Sequence, residues 1–158
     1  MKKLVLSLIM LVLGATFALA DDNGGDPRFA FGAAYYYATE YDQHGMGISL
    51  QARLSDKVRI QPEMVYCNEN KDVTTMHLNL NAHYVVPVFD RCNIYPLAGI
   101  NYSHWGYEGP NKNHVGVNLG CGLEYNLGKR WWLDGGMRYN LVKQETQIIY
   151  TVGIKYDL

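Results

Sequence analysis

Charge is scarce in this chain: only 18% of residues are Asp, Glu, Lys or Arg, with 14 basic against 15 acidic. No basic surplus exists to neutralise a phosphate backbone, which argues against nucleic acid as a partner. Cysteine is scarce too. Cys67, Cys92 and Cys121 are an odd set that cannot all pair within one chain. Their wide spacing does not suit a metal cluster, and there is no C-x-x-C. The sequence also lacks a Gly-rich phosphate loop and a metalloprotease helix motif. These absences leave no cofactor to expect. Long apolar runs are missing as well. The longest, Leu4–Leu13, is too short to cross a bilayer as a helix.

That short run has a different reading. Met1-Lys2-Lys3 is basic, Leu4–Leu13 is apolar, and Ala18-Leu19-Ala20 is a small-x-small cleavage site. Residues 1–20 therefore read as a secretory signal peptide, removed on export. Residues 21–27 form a short N-terminal segment and 28–158 one folded domain, with a formal charge of about −3 once Lys2 and Lys3 are lost. The exported compartment permits disulfides, but no two cysteines are expected to lie close, so all three are expected to be free.

What the chain does have is alternation. Val115, Val117, Leu119, Cys121, Leu123 and Tyr125 interleave with Gly116, Asn118, Gly120, Gly122, Glu124 and Asn126. A period of two puts these sets on opposite faces of a β-strand. The pattern recurs in Met76–Val86 and Ile148–Leu158. It predicts eight strands: Arg28–Thr39, Gly45–Leu54, Val58–Cys67, Val73–Val86, Asn93–Trp105, His114–Leu127, Trp131–Leu141 and Gln147–Leu158. Turns fall at Ser55–Lys57, Pro87–Arg91 and Gly128–Arg130. An even count lets the first and last strands pair antiparallel, closing a barrel without free edges.

Alternation alone fits a soluble exported barrel with an apolar interior as well as a membrane barrel with an apolar exterior. The polar face decides. It is rich in Gly, Ser, Asn and Gln, not in the mixed Lys and Glu of a solvated surface. The apolar face, including Phe31, Ala33, Ile48, Leu50, Ile100 and Leu133, carries no charge at all. Tyr35, Tyr37, Tyr66, Tyr84, Tyr102, Tyr125, Trp131, Tyr139 and Tyr156 fall near strand ends, where interfacial aromatic girdles belong. The fold expected is an all-β, eight-stranded, antiparallel, up-and-down transmembrane β-barrel with both termini in the periplasm.

Two constellations stand out on the inward face. Arg53, Arg59, Glu63, Glu124, Asp134, Arg138 and Lys155 all point into the lumen in this register. Low dielectric forces such charges to pair. The expected pairs are Glu124 and Asp134 with Arg138 and Lys155, and Glu63 with Arg53 or Arg59. The expected role is a structural plug, with a narrow conductance path as the alternative. His44, His77, His104 and His114 are placed toward the extracellular rim. Ser103 and His104 are adjacent and so face opposite sides, leaving His77 or His114 as candidate partners for Ser103. The bland reading of these histidines is hydration; the sharper ones are a rim metal site or lipid-modifying chemistry.

At this point the chain resembles the small eight-stranded outer-membrane barrels of Gram-negative bacteria, of the OmpX and OmpA-barrel type. It looks most like short outer-membrane β-barrel or porin-family proteins of Bacteroidetes. The C-terminus carries the best local match. Thr151, Gly153, Tyr156 and Leu158 fit the polar-x-Gly-x-x-aromatic-x-hydrophobic ending of barrel-assembly substrates, with Leu158 where Phe is usual. Tyr95-Pro96-Leu97-Ala98-Gly99 also looks family-like. The resemblance implies outer-membrane lipids and the barrel-assembly machinery as partners, a monomer, no enzymatic activity, and a structural or surface-interaction role with its surface partner open. The alternatives are an outer-membrane lipid-modifying enzyme and a soluble periplasmic ligand-binding barrel.

Overall fold

The computed structural model describes residues 29–39, 42–68, 74–106, 112–142 and 145–158. The proposed signal peptide and the 21–27 segment lie outside these residues. The strands are β1 (Phe29–Ala38), β2 (Gln43–Arg53), β3 (Val58–Asn68), β4 (Thr74–Tyr84), β5 (Val86–Phe89), β6 (Cys92–Gly106), β7 (Lys112–Gly128), β8 (Trp131–Val142) and β9 (Glu145–Asp157). Every pairing is antiparallel. Sequence neighbours pair in turn, β4 pairs with β6, and β1 pairs with β9 to close the circle.

The nine strands make eight staves, because β4 and β5 are one stave interrupted at Val85. Register proves the continuity: His83 faces Leu97 and Val86 faces Ile94 on the same β6. The interruption falls beside Pro96, which has no N–H to give the ladder. On its other side Val85 donates to the Lys57 carbonyl at 2.7 Å. Pro87 therefore does not begin the turn, as its residue type suggests. The strand runs to Phe89 and turns at Asp90–Arg91. Past Val85 the stave pairs with β6 alone, and a proline on that outer edge breaks no bond.

Three other strands start two residues earlier than the hydropathy pattern suggests. Gln43 pairs with Ala38, Lys112 with Trp105 and Glu145 with Val142. Backbone pairing continues where the side chains turn polar, so the apolar pattern ends before the strand does. At the opposite end the β7–β8 turn is set by backbone conformation. Gly128 has φ 114° and Lys129 φ 53°, two successive positive values that favour glycine in the first position.

Burial is inverted relative to a water-soluble domain. Asn81, Asn101, Asn118, Asn140 and Glu124 are among the fully buried side chains, while Phe31, Ile48, Ile100, Val117 and Leu133 are exposed. The barrel is an apolar jacket around a polar filling. A cation on this jacket, where it faces hydrocarbon, should be costly. Val117→Arg is expected to lower stability by about 2–4 kcal/mol near mid-depth. Asp56→Arg, in an exposed turn, should leave it unchanged. Urea unfolding in lipid vesicles, followed by the heat-dependent gel shift, measures both.

Candidate functional site

The lumen brings together side chains from strands far apart in sequence. Room for them comes from glycine. A Cβ on Gly122 would stand 2.4 Å from the Tyr95 ring, and one on Gly47 would stand 2.8 Å from the Tyr36 ring. These glycines on neighbouring strands let two aromatic residues turn inward, Tyr36 at 3% and Tyr95 at 3% exposure. Tyr36 is not among the candidates the sequence offers, and Tyr95 enters only as part of a family-like segment, since aromatics are expected at the interfaces. The large–small pairing across strands is the signal that could have found them.

The charged residues form two connected groups. Nearer the end that carries the start of β1 and the end of β9, Glu124 is the hub. Arg59 donates from Nη1 to both its carboxylate oxygens at 2.9 Å, Lys155 Nζ to Oε2 at 3.1 Å and Asn93 Nδ2 to Oε1 at 2.8 Å. Lys155 also reaches Asp134 Oδ1 at 3.0 Å, and the Tyr95 hydroxyl donates to the same oxygen at 2.8 Å. The Lys155 ammonium lies 5.3 Å from the Tyr95 ring centroid, and His83 stacks on that ring at 4.6 Å with 7° between planes.

The second group crosses the barrel. Arg138 Nη1 donates to Glu63 Oε1 at 2.6 Å. β8 and β3 are four staves apart, diametrically opposite in an eight-stave ring. This differs from the pairing expected from adjacent strands, which gave Arg138 to Glu124 or Asp134 and Glu63 to Arg53 or Arg59. Arg59 goes to Glu124 instead. The lumen is narrow enough that a long side chain meets the opposite wall as easily as its neighbour, so pairing follows height in the barrel more than strand adjacency. Arg53 stands half-buried opposite Arg59, near the terminal end.

An amide chain links the two walls a second way. Asn140 donates to Asn118 at 2.9 Å, Asn118 to Asn79 at 3.0 Å and to Asn81 at 2.9 Å, and Asn79 to Glu63 at 2.9 Å. With the Arg138–Glu63 pair this makes a closed circuit from β8 through β7, β4 and β3 back to β8. A polar cavity of about 30 Å³ beside it is lined by Tyr36, Glu63, His83, Tyr95, Arg138 and Lys155 among others. At roughly 10–15 Å³ per site it has room for about two waters. Toward the loop end an apolar cluster joins the polar filling. Tyr36, Ala38, Val65, Cys67 and Ile149 pack together inside the lumen beside the buried Gln43, Thr75 and His77, a position where the alternation predicts polar residues alone.

The four candidate rim histidines separate. His77 is not at the rim but inside, at 2% exposure, with Nδ1 2.8 Å from Ser103 Oγ. Ser103 Oγ donates to Asn101 Oδ1 at 2.6 Å. Its proton is thus directed away from the imidazole, the reverse of what nucleophile activation needs. His44 faces outward, bonded to the Tyr35 hydroxyl. His104 Nδ1 lies 2.7 Å from Asn113 Oδ1, and His114 is half-buried. Among the described residues no group of His, Cys, Asp and Glu is placed to hold a metal. Cys67 is buried in the apolar cap, Cys121 faces outward, and all three cysteines are unbonded.

Thr151, Gly153 and Tyr156 of the C-terminal pattern sit on the closing strand β9, and Leu158 follows its last residue. Thr151 Oγ1 donates to the Gly136 carbonyl at 3.3 Å. A Cβ on Gly153 would stand 2.5 Å from the Ala34 Cβ. The Tyr156 ring lies 4.8 Å from that of Trp131, and the Leu158 N–H donates to the Phe29 carbonyl at 2.9 Å.

Solved structures share this architecture. Neisserial surface protein A is 19% identical over 85% of this chain and 99% of its own, with a TM-score of 0.64. The N-terminal barrel of OprF from Pseudomonas aeruginosa is 14% identical over 84% and 98%, TM-score 0.63. Ail, the attachment invasion locus protein of Yersinia pestis, is 12% identical over 81% and 95%, TM-score 0.61. At such identities the likeness is one of fold. No curated protein sequence matches the chain. The family of outer membrane protein beta-barrel domains matches residues 8–157, nearly the whole chain, and to that family of small outer-membrane barrels this protein belongs.

Proposed function

We propose that this outer-membrane barrel is a closed, non-enzymatic scaffold whose lumen is a structural plug and whose loop end serves a structural or interaction role at the cell surface. The observation that carries the reading is the Glu63–Arg138 pair spanning the barrel diameter at 2.6 Å, with Glu124 and Asp134 engaged by Arg59 and Lys155. The apolar cap around Val65 lies beyond it on the loop side, and Arg59 and Glu124 lie beyond it on the terminal side. An ion-pair bar across a filled lumen leaves no continuous aqueous path.

Lipid-modifying chemistry fits the geometry less well. Ser103 and His77 face the lumen, each at 2% exposure, out of reach of the surrounding lipid, and the serine proton is committed to Asn101. The same proposal takes residues 1–20 as a cleaved export signal, the C-terminal strand as the determinant read by the assembly machinery, and a monomer surrounded by lipid. Short turns at Leu54–Lys57, Asp90–Arg91 and Lys129–Arg130 share one end with the start of β1 and the end of β9. That end is assigned to the periplasm.

Removing one partner of the central pair strands the other. Glu63→Gln or Arg138→Met alone is expected to cost about 3–5 kcal/mol. The double variant should cost less than the sum, with a coupling of about 0.5–3 kcal/mol. Additive losses in vesicle unfolding would show that the pair is not engaged. In planar bilayers the wild-type protein should form no large stable channels; their appearance would refute the plug. Topology is checked with single cysteines in a background lacking the native three. A membrane-impermeant maleimide should label Thr39→Cys on intact cells and Ser55→Cys only after lysis.

A further inference from the structure

We infer that the outer wall centred on Ala33 is a binding groove for one membrane lipid, with an acyl chain in the groove and the polar headgroup at its loop-end mouth. The groove follows from residue size along one row. Met64, Ile48, Ala33, Ile154 and Leu133 lie side by side across β3, β2, β1, β9 and β8. The middle residue is the smallest and is flanked on both sides by isoleucine. One step toward the loops, Tyr66, Met46 and Tyr35 project from β3, β2 and β1. Behind Ala33 the wall is thin, because Gly47 and Gly153 add no side chain. The depression this leaves is an open, almost wholly apolar groove of about 500 Å³.

The mouth has different chemistry. Tyr35, which lines the groove, bonds through its hydroxyl to Nδ1 of His44. The His44 ring lies 5.9 Å from the Tyr35 ring and 5.2 Å from that of Tyr37. Its Nε2 is 4.0 Å from Asp42 Oδ1, and both side chains are more than half exposed. Along β9 the distance from Ile154 to Tyr150, the partner of Tyr37, is four residues, roughly 13 Å at 3.3 Å per residue. With strands tilted by about 40° this is roughly 10 Å along the membrane normal, within one leaflet of a hydrocarbon core about 30 Å thick. An apolar trough over the Ala33 and Tyr35 rows, followed one row further by a hydrogen-bonding cluster, has the polarity sequence of a lipid, chain and then headgroup.

A second copy of the chain fits poorly. A two-fold contact sets the same patch against itself, and two facing depressions leave a void. A lipid chain, being thin and flexible, fills a trough that a rigid barrel cannot. The continuity of the groove with the apolar jacket on either side places hydrocarbon there in any case. The groove adds a position where one chain is held longer than its neighbours.

The test uses the full-length mature protein in nanodiscs of phosphatidylethanolamine and phosphatidylglycerol, doped with a phospholipid bearing a photoactivatable diazirine on one acyl chain. Peptide mapping after illumination compares Ala33, Ile48 and Ile154 with Ile100 and Val117 on the opposite wall. Labelling several-fold higher at the groove supports the inference; equal labelling overturns it, as do disulfide-linked dimers formed by an Ala33→Cys variant that lacks the three native cysteines. Ala33→Trp should fill the trough and bring labelling down to that of the opposite wall. If that variant does not give a folded, heat-modifiable band, the wild-type ratio decides alone. Tyr35→Phe with His44→Ala should lower groove labelling while the opposite wall stays constant; no change there would overturn the headgroup assignment.

Discussion

A backbone in hydrocarbon has no water to satisfy its N–H and C=O groups, and each one left open costs several kcal/mol. Everything else in this structure depends on how that demand is met. The ladder between β1 and β9 runs from Ala30–Asp157 to Ala38–Ile149 and removes both edges of the sheet. Closure at eight staves then fixes the lumen at a width that side chains can just fill. A fixed width decides which inward residues are long enough to meet across it, and which must be glycine so that others can pass.

Within that width the chemistry is one of compensation. An isolated charge in the lumen would carry a heavy desolvation penalty. The structure answers with Glu124 held by Arg59, Lys155 and Asn93, and Glu63 held by Arg138, Asn79 and Gln61. The amides between these groups carry no charge and still connect them, so the filling behaves as a network and not as separate pairs. Its make-up also changes along the axis, from ion pairs near the start of β1, through amides, to an apolar cluster that shares the loop end with the buried Gln43, Thr75 and His77. His77 there is a buried group and not a surface-accessible base.

Outside, the same eight staves give a jacket whose relief is set by single residues. Most positions carry large apolar or aromatic side chains, and a small one such as Ala33 becomes a trough because its cross-strand neighbours are isoleucines. Tyr66, Tyr84, Tyr125 and Trp131 are exposed on this jacket near strand ends. The polar cluster of Tyr35 and His44 lies where the loop-end interface and the trough meet.

By itself the sequence determined the strand number, the antiparallel closure, the face of nearly every strand residue and the inward position of all seven charged candidates. These are local consequences of a period of two, which is written directly in residue order. Strand ends at Gln43, Lys112 and Glu145, and the continuation of β5 past Pro87, were not legible, because backbone pairing outlasts the side-chain pattern. Nor was the partner of each charge. Alternation says that Glu63 and Arg138 both look inward, but only the height of each residue on a closed, tilted barrel puts them at 2.6 Å across the diameter. The inward turn of Tyr36 and Tyr95, the apolar cap and the Ala33 trough likewise depend on which residues stand side by side across strands. Those are relations of register, and register exists only once the strands are paired.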